Sequence, residues 1–213
     1  LLLPDMEADE LGQSLRRFMF RRKLDISPRP DLHAAGAFSP PADARGPTLA
    51  GDQDGVLELD WGAPGLPRSL RLSPAPAAVD ASASQAWAAA DLRLGLPRLS
   101  AAQREQWTPQ QLGLERLSAY SVKKGCYPGQ EIVARTHFLG KAKRAATVLQ
   151  VDPGVLPGSE VLQAGQAIGT IVAVAAGSPS LALAVLPLDA ELAKLQAGGH
   201  DATPQPFVDG LAR

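Results

Sequence analysis

The chain has 213 residues, 45% of them hydrophobic, with 21 basic and 22 acidic side chains and a formal charge of −1. That length supports one large or two small domains with a sizeable core, and the balanced charge excludes a globally cationic nucleic-acid binder. The single cysteine, Cys126, excludes an internal disulfide and any multi-thiolate metal site built from this chain alone, and points to a reducing, cytoplasmic setting.

In chain order, Leu1-Leu2-Leu3 is followed at once by Pro4 and acidic residues. It lacks the basic leader and the length of a signal-peptide core, and reads as the end of a strand, so the chain is expected to begin inside a domain. Residues 7–22 predict a helix: Ala8, Leu11, Leu15 and Phe18 recur every three or four residues, with Asp5 as cap. Arg16, Arg17, Arg21, Arg22 and Lys23 then sit at its C-terminal end. The macrodipole favours bases there, and an anion-binding role is the alternative. Lys23–Ile26 alternates like a short strand. Residues 27–54, rich in Pro, Gly, Ala and Asp, read as loop or linker.

Strands are expected over 55–61 and 69–73, separated by the turn-rich segment 62–67. A helix is expected over 82–93 around Trp87 and Leu92, stopped by Gly95 and Pro97. Trp87 reads as a core residue, with ligand stacking as the alternative. Residues 98–123 predict an irregular, Gln-rich connection. Runs 146–151, 160–163, 167–175 and 181–186 are β-like and punctuated by Gly and Pro, which predicts a small C-terminal β-barrel. The longest weakly polar run, 167–177, is about half of the ~20 residues a spanning helix needs, so no membrane partner is expected. The fold class is therefore α+β followed by an all-β module.

Chemistry concentrates in 123–144. This segment holds six bases (Lys123, Lys124, Arg135, Lys141, Lys143 and Arg144) and one acid, Glu131, a net of +5 that leaves −6 over the rest of the chain. Pro128-Gly129 before Gln130–Arg135 predicts a turn leading into a short helix, with Cys126 just ahead of the helix N-terminus. Ammonium groups and unpaired N–H groups nearby both stabilise a thiolate, and with it nucleophilicity. Gly125 and Gly129 permit backbone conformations that a side chain would block. A small buried hydrophobe is the alternative for Cys126. Gly140-Lys141 lacks the rest of a phosphate loop. Cys126 with His137 as a nucleophile–base pair has no recognisable spacing. The basic cluster as an RNA-phosphate contact has little aromatic interleaving. His33 and His200 lie in polar surroundings and read as exposed. No metal site is expected.

Lys124-Gly125-Cys126-Tyr127-Pro128-Gly129-Gln130-Glu131 resembles the K-G-C-[FYW]-x-G-Q-E motif of the YgfZ-type folate-binding proteins, which are similar to the T-protein (aminomethyltransferase) of the glycine cleavage system. Leu94–Pro97, Thr108-Pro109-Gln110, Ala134-Arg135-Thr136 and Gly140-Lys141 agree with it. The resemblance implies a GcvT-like folate-binding fold, with α+β folate-binding lobes over 1–98, a motif-bearing connection over 99–144 and a barrel over 145–213. It implies tetrahydrofolate as cofactor and iron–sulfur client or assembly proteins as partners, with effects on tRNA modification that are indirect. Cys126 falls on the motif cysteine, with Lys124 and Arg135 supplying charge, Gly125, Gly129 and Gln130 shaping the turn, and Glu131 anchoring it. Tyr127 completes the motif. True aminomethyltransferases have a related glycine turn without the cysteine. Two alternatives stay open: a folate-dependent aminomethyltransferase-like enzyme, and a tRNA- or protein-binding module using the basic segment. The family begins with a strand–helix–strand section that contributes to the folate site, and this chain is expected to lack it. Gly113-Leu114-Glu115 stands where relatives often have Asn-Leu-Asp.

Overall fold

The computed structural model describes residues 1–20, 23–52, 55–124, 129–140 and 142–211. The chain divides into two compact units, Leu1–Asp60 with Arg68–Ala78, and Trp61–Pro67 with Val79–Arg213. The architecture is α+β, with a four-stranded sheet in the first unit and a closed six-stranded barrel in the second.

In the first unit, helix α1 spans Ala8–Arg16, shorter than the 7–22 its apolar spacing predicts. Its last turn tightens into i→i+3 bonds, Phe18 N–H to Leu15 O at 3.0 Å and Met19 N–H to Arg16 O at 3.2 Å, which is how a helix end satisfies its carbonyls. Phe18, expected on the apolar face, is 60% exposed. The residue at the N-cap is Glu7, not Asp5, and its side chain makes no capping bond. Lys23–Ile26 is not a strand; the Ile26 carbonyl instead accepts from Arg16 Nη2 at 2.6 Å.

Strands β1 (His33–Ala37), β2 (Ala50–Gly51), β3 (Leu57–Asp60) and β4 (Ser69–Ser73) form the antiparallel sheet in the order β1-β4-β3-β2. β1 and β2 lie inside the segment expected to be loop. His-Ala-Ala-Gly-Ala has little intrinsic strand preference, and pairing along the whole of β4 (His33 opposite Ser73 through Ala37 opposite Ser69) overrides it. The loop 42–44 is pinned by Glu58 on β3. Its carboxylate accepts from the N–H groups of Ala42, Asp43 and Ala44 at 2.9, 2.8 and 3.0 Å. These bonds to the charged form hold the Glu58 pKa down at about 2, the Ala44 bond contributing most.

In the second unit, helix α2 spans Ala81–Leu94. Asp80 caps it by accepting from Ala83 N–H at 3.0 Å. At its far end Gly95 is left-handed (φ 75°), with Leu96 N–H reaching Asp91 O at 2.8 Å and Gly95 N–H reaching Leu92 O at 2.9 Å, the double bond of a glycine C-cap. Trp87, expected in the core, is half-buried, and Leu92 fills the core instead. Helix α3 spans Gln130–Phe138.

The barrel is built from β5 (Arg144–Val151), β6 (Glu160–Gln163), β7 (Gln166–Ala175), β8 (Ser180–Pro187), β9 (Leu195–Ala197) and β10 (His200–Gln205). They close in the order β10-β5-β8-β7-β6-β9, every pair antiparallel. β9 and β10 escape a reading by hydrophobic pattern. Their signal is the two-residue turn Gly198-Gly199, both at positive φ (62° and 86°), as a primed hairpin turn requires.

β8 is buried from Ser180 to Leu186, and the period-two alternation of a strand divides its side chains. Ala182, Ala184 and Leu186 point into the barrel with Leu149, Ile171 and Leu195. Leu181 and Leu183 point outward, where α2 lays Ala88, Ala89 and Leu92 over them. Val185 also points outward, where Leu112, with Leu99, Trp107 and Leu114, covers it and Val172. Covering one barrel face in this way ties the 98–123 connection down, and that connection leads directly into the motif.

Candidate functional site

The connection is a run of turns, not a disordered link. At its start Thr108 and Gln111 bond reciprocally. Thr108 N–H donates to Gln111 Oε1 at 2.9 Å, and Gln111 N–H donates to Thr108 Oγ1 at 3.3 Å. This is the capping-box arrangement of a Thr-x-x-Gln sequence, with Pro109 in the position where its missing N–H costs nothing. The adjacent Gln110 donates from Nε2 to Val133 O at 2.9 Å. That bond fastens the connection to the middle of α3, beside the buried Val133.

The motif straddles the start of α3. Gly125, Cys126, Tyr127 and Pro128 lie outside the described residues, as does Lys141. The flanking motif residues are described. Lys123 and Lys124 are exposed. Gly129 occupies the N-cap of α3 with φ 82°, a left-handed conformation that glycine adopts without strain. Gln130, the first helical residue, donates from Nε2 to Lys124 O at 3.3 Å. The motif glutamine thus bonds back to the residue six positions before it. Glu131, expected to anchor it, is exposed in the first turn of α3. It makes no hydrogen bond or ion pair among the described residues. The predicted helix is present from Gln130, and the sequence sets Cys126 four residues ahead of it. A carboxylate at the helix N-terminus complements the dipole, and Arg135 and His137 sit in the last turn.

His137, the base in the cysteine–histidine alternative, faces Glu115, its Nδ1 at 4.0 Å from Oε1, with the Phe138 ring edge-on at 4.9 Å. His33 is exposed on β1, and the exposed His200 pairs with Asp152 at 3.1 Å.

Lys143 and Arg144, the last two residues of the basic cluster, come together with Thr108, Gln111, Thr136 and Ala142 around a cleft of about 340 Å³. Lys123, Lys124 and Arg135 do not line it. The sequence reading missed Gln111 as a lining residue; the Thr-x-x-Gln spacing was the available signal. A pteridine ring needs flat apolar or aromatic walls with a few polar groups at its edge. Ala142 is the one apolar residue among the described lining residues, which supply no flat wall of that kind. Among the described residues, no group of three or more His, Cys, Asp or Glu could hold a metal ion, and no helix is long and apolar enough to cross a membrane. No protein-family model matches the chain.

Proposed function

We propose that this protein is a tetrahydrofolate-binding accessory factor for the assembly or repair of iron–sulfur proteins, iron–sulfur tRNA-modifying enzymes among them. On this reading it has a GcvT-like fold and works in the cytoplasm, and Cys126 is its key residue. The observation that carries the reading is the eight-residue run Lys124–Glu131 with its single cysteine. Two structural features support it. A left-handed Gly129 opens α3 three residues after Cys126 in the sequence, and Gln130 donates to the Lys124 carbonyl. An α+β chain ending in a small closed barrel also accords with a GcvT-like architecture.

Chemically, Cys126 follows two lysines and precedes a helix N-terminus, surroundings that lower a thiol pKa. The thiolate would contact an iron–sulfur client or its cluster directly, and the folate would be bound elsewhere in the protein. The presence of Cys126 disfavours the aminomethyltransferase-like alternative, whose glycine turn lacks it. The test is calorimetric titration of the protein with tetrahydrofolate, alongside Cys126→Ala. Saturable binding that the variant retains supports a folate-binding protein whose thiol serves a separate step. Absence of binding by the protein, or an aminomethyl-donor turnover, counts against the accessory role.

A further inference from the structure

The cleft beside β5 has a lining made of hydrogen-bond donors. Gln111 Oε1 is occupied by Thr108 N–H, a group that can only donate. The amide is therefore oriented with its NH₂ directed away from that bond. Arg144 spends Nη1 on the Ile168 carbonyl at 2.7 Å, which fixes the guanidinium and leaves its other N–H groups unspent. Lys143 is held at its backbone by Leu188 N–H, which donates to Lys143 O at 3.0 Å. The Lys143 ammonium and the Thr136 hydroxyl have no hydrogen bond or ion pair among the described residues. Among the described residues the lining contains two cations and no carboxylate. Like charges brought together without a counter-charge are unfavourable unless an anion completes the set, and donors pre-positioned by bonds outside the cleft lower the cost of binding one.

We infer that this cleft is a binding site for a phosphate dianion, either free or as the terminal group of a small phosphate ester. A carboxylate offers two oxygens, which a single arginine fork satisfies. Four separate donors (Gln111 Nε2, Thr136 Oγ1, Lys143 Nζ and the free edge of Arg144) instead suit the several outward oxygens of a tetrahedral dianion. Lysine adds a point charge and arginine a planar fork. This site does not depend on the folate reading: among the described residues, no motif residue lines it.

The test is amide NMR of the full chain titrated at constant ionic strength with inorganic phosphate, adenosine 5′-monophosphate and dimethyl phosphate. Saturable shifts centred on residues 108–111, 136 and 142–144 are expected. Affinity should increase as the pH rises from about 5.5 to 7.5, because the second phosphate proton leaves near pH 6. Dimethyl phosphate, singly charged throughout, should bind at least tenfold more weakly and show no such pH dependence. Lys143→Ala should weaken phosphate binding about tenfold, as loss of a charged hydrogen bond does, and Thr136→Val should weaken it several-fold. Arg93→Ala, an exposed cation on α2 outside the lining, should leave it unchanged. Saturation by both phosphate and the monophosphate assigns the ester. Saturation by phosphate with exclusion of the monophosphate assigns the free ion. Shifts scattered over the surface lysines, equal binding of dimethyl phosphate, or equal loss in Arg93→Ala would overturn the site.

Discussion

Gly95 and Gly129 offer a paired experiment because they share a backbone conformation and differ in surroundings. Both are left-handed, at φ 75° and 82°. A Cβ added at Gly129 meets none of the described residues within 4 Å. With no described residue in the way, Gly129→Ala is expected to show the backbone cost, about 1–2 kcal/mol for an L-residue in this region. Roughly half of that is offset by the stiffer unfolded chain. The net of about 1 kcal/mol corresponds to a Tm drop of about 2–4 °C for a protein of this size. At Gly95 the same Cβ meets Phe207 ring carbons at 3.0 and 3.2 Å.

The Gly95 Cβ also presses on the Arg116 guanidinium, which donates to Leu94 O and stacks on the Phe207 ring at 4.5 Å. Overpacking of this kind adds about 1–3 kcal/mol, and displacing a charged donor adds about 1.5 kcal/mol or more. Together with the backbone cost this is about 3.5–5.5 kcal/mol, so Gly95→Ala should lower Tm by roughly 7–22 °C. Thermal unfolding followed by circular dichroism reads both variants. Gly129→Asn, with a residue that tolerates the left-handed region, should cost less than Gly129→Ala. If Gly129→Ala destabilises as much as Gly95→Ala, the assignment of surroundings at these two turns is wrong.

Three further outcomes follow from named contacts. Glu58 has a pKa held down at about 2 against an ordinary 4.5, so its contribution is fully present above about pH 4.5 and is lost as pH falls toward 2. Urea unfolding of Glu58→Gln should accordingly show a shallower loss of stability between pH 5 and 3 than the parent; equal slopes would refute the role given to the 42–44 amides. Leu149 is fully buried in the barrel interior. Leu149→Ala should cost about 2–5 kcal/mol in equilibrium unfolding, and a loss under about 1 kcal/mol would contradict the packing. Alkylation of Cys126 by iodoacetamide should show a pH midpoint below the ~8.5 of a free cysteine, whereas a midpoint at or above it would remove the activated thiolate.

What could be read from the sequence was whatever the chain encodes locally. The edges of α2 follow from Asp80 and Gly95, and the start of α3 from Pro128-Gly129. β5 to β8 follow from apolar runs between glycines. β1, β9 and β10 were illegible because Ala, Gly, Gln and Pro carry little strand preference. These strands exist because partners are presented to them: β4 for β1, and β5 closing the barrel for β10. The same distinction applies at the site. The concentration of charge around Cys126 is visible in one dimension, as is the turn before α3. That Lys143 and Arg144, but not Lys123, Lys124 or Arg135, join Thr108, Gln111 and Thr136 depends on how the connection folds against Val172 and Val185 of the barrel. Glu131, expected as the anchor, is exposed in the first turn of α3, and it is Gln130 that reaches back to the Lys124 carbonyl.

The most direct test of the functional account is iron–sulfur enzyme activity in cells from which the gene for this protein has been deleted, supplied with either the parent gene or Cys126→Ala at matched protein levels. The account predicts that the parent restores activity and Cys126→Ala does not, although the variant folds normally by circular dichroism. Full restoration by Cys126→Ala, or none by the parent, would contradict it.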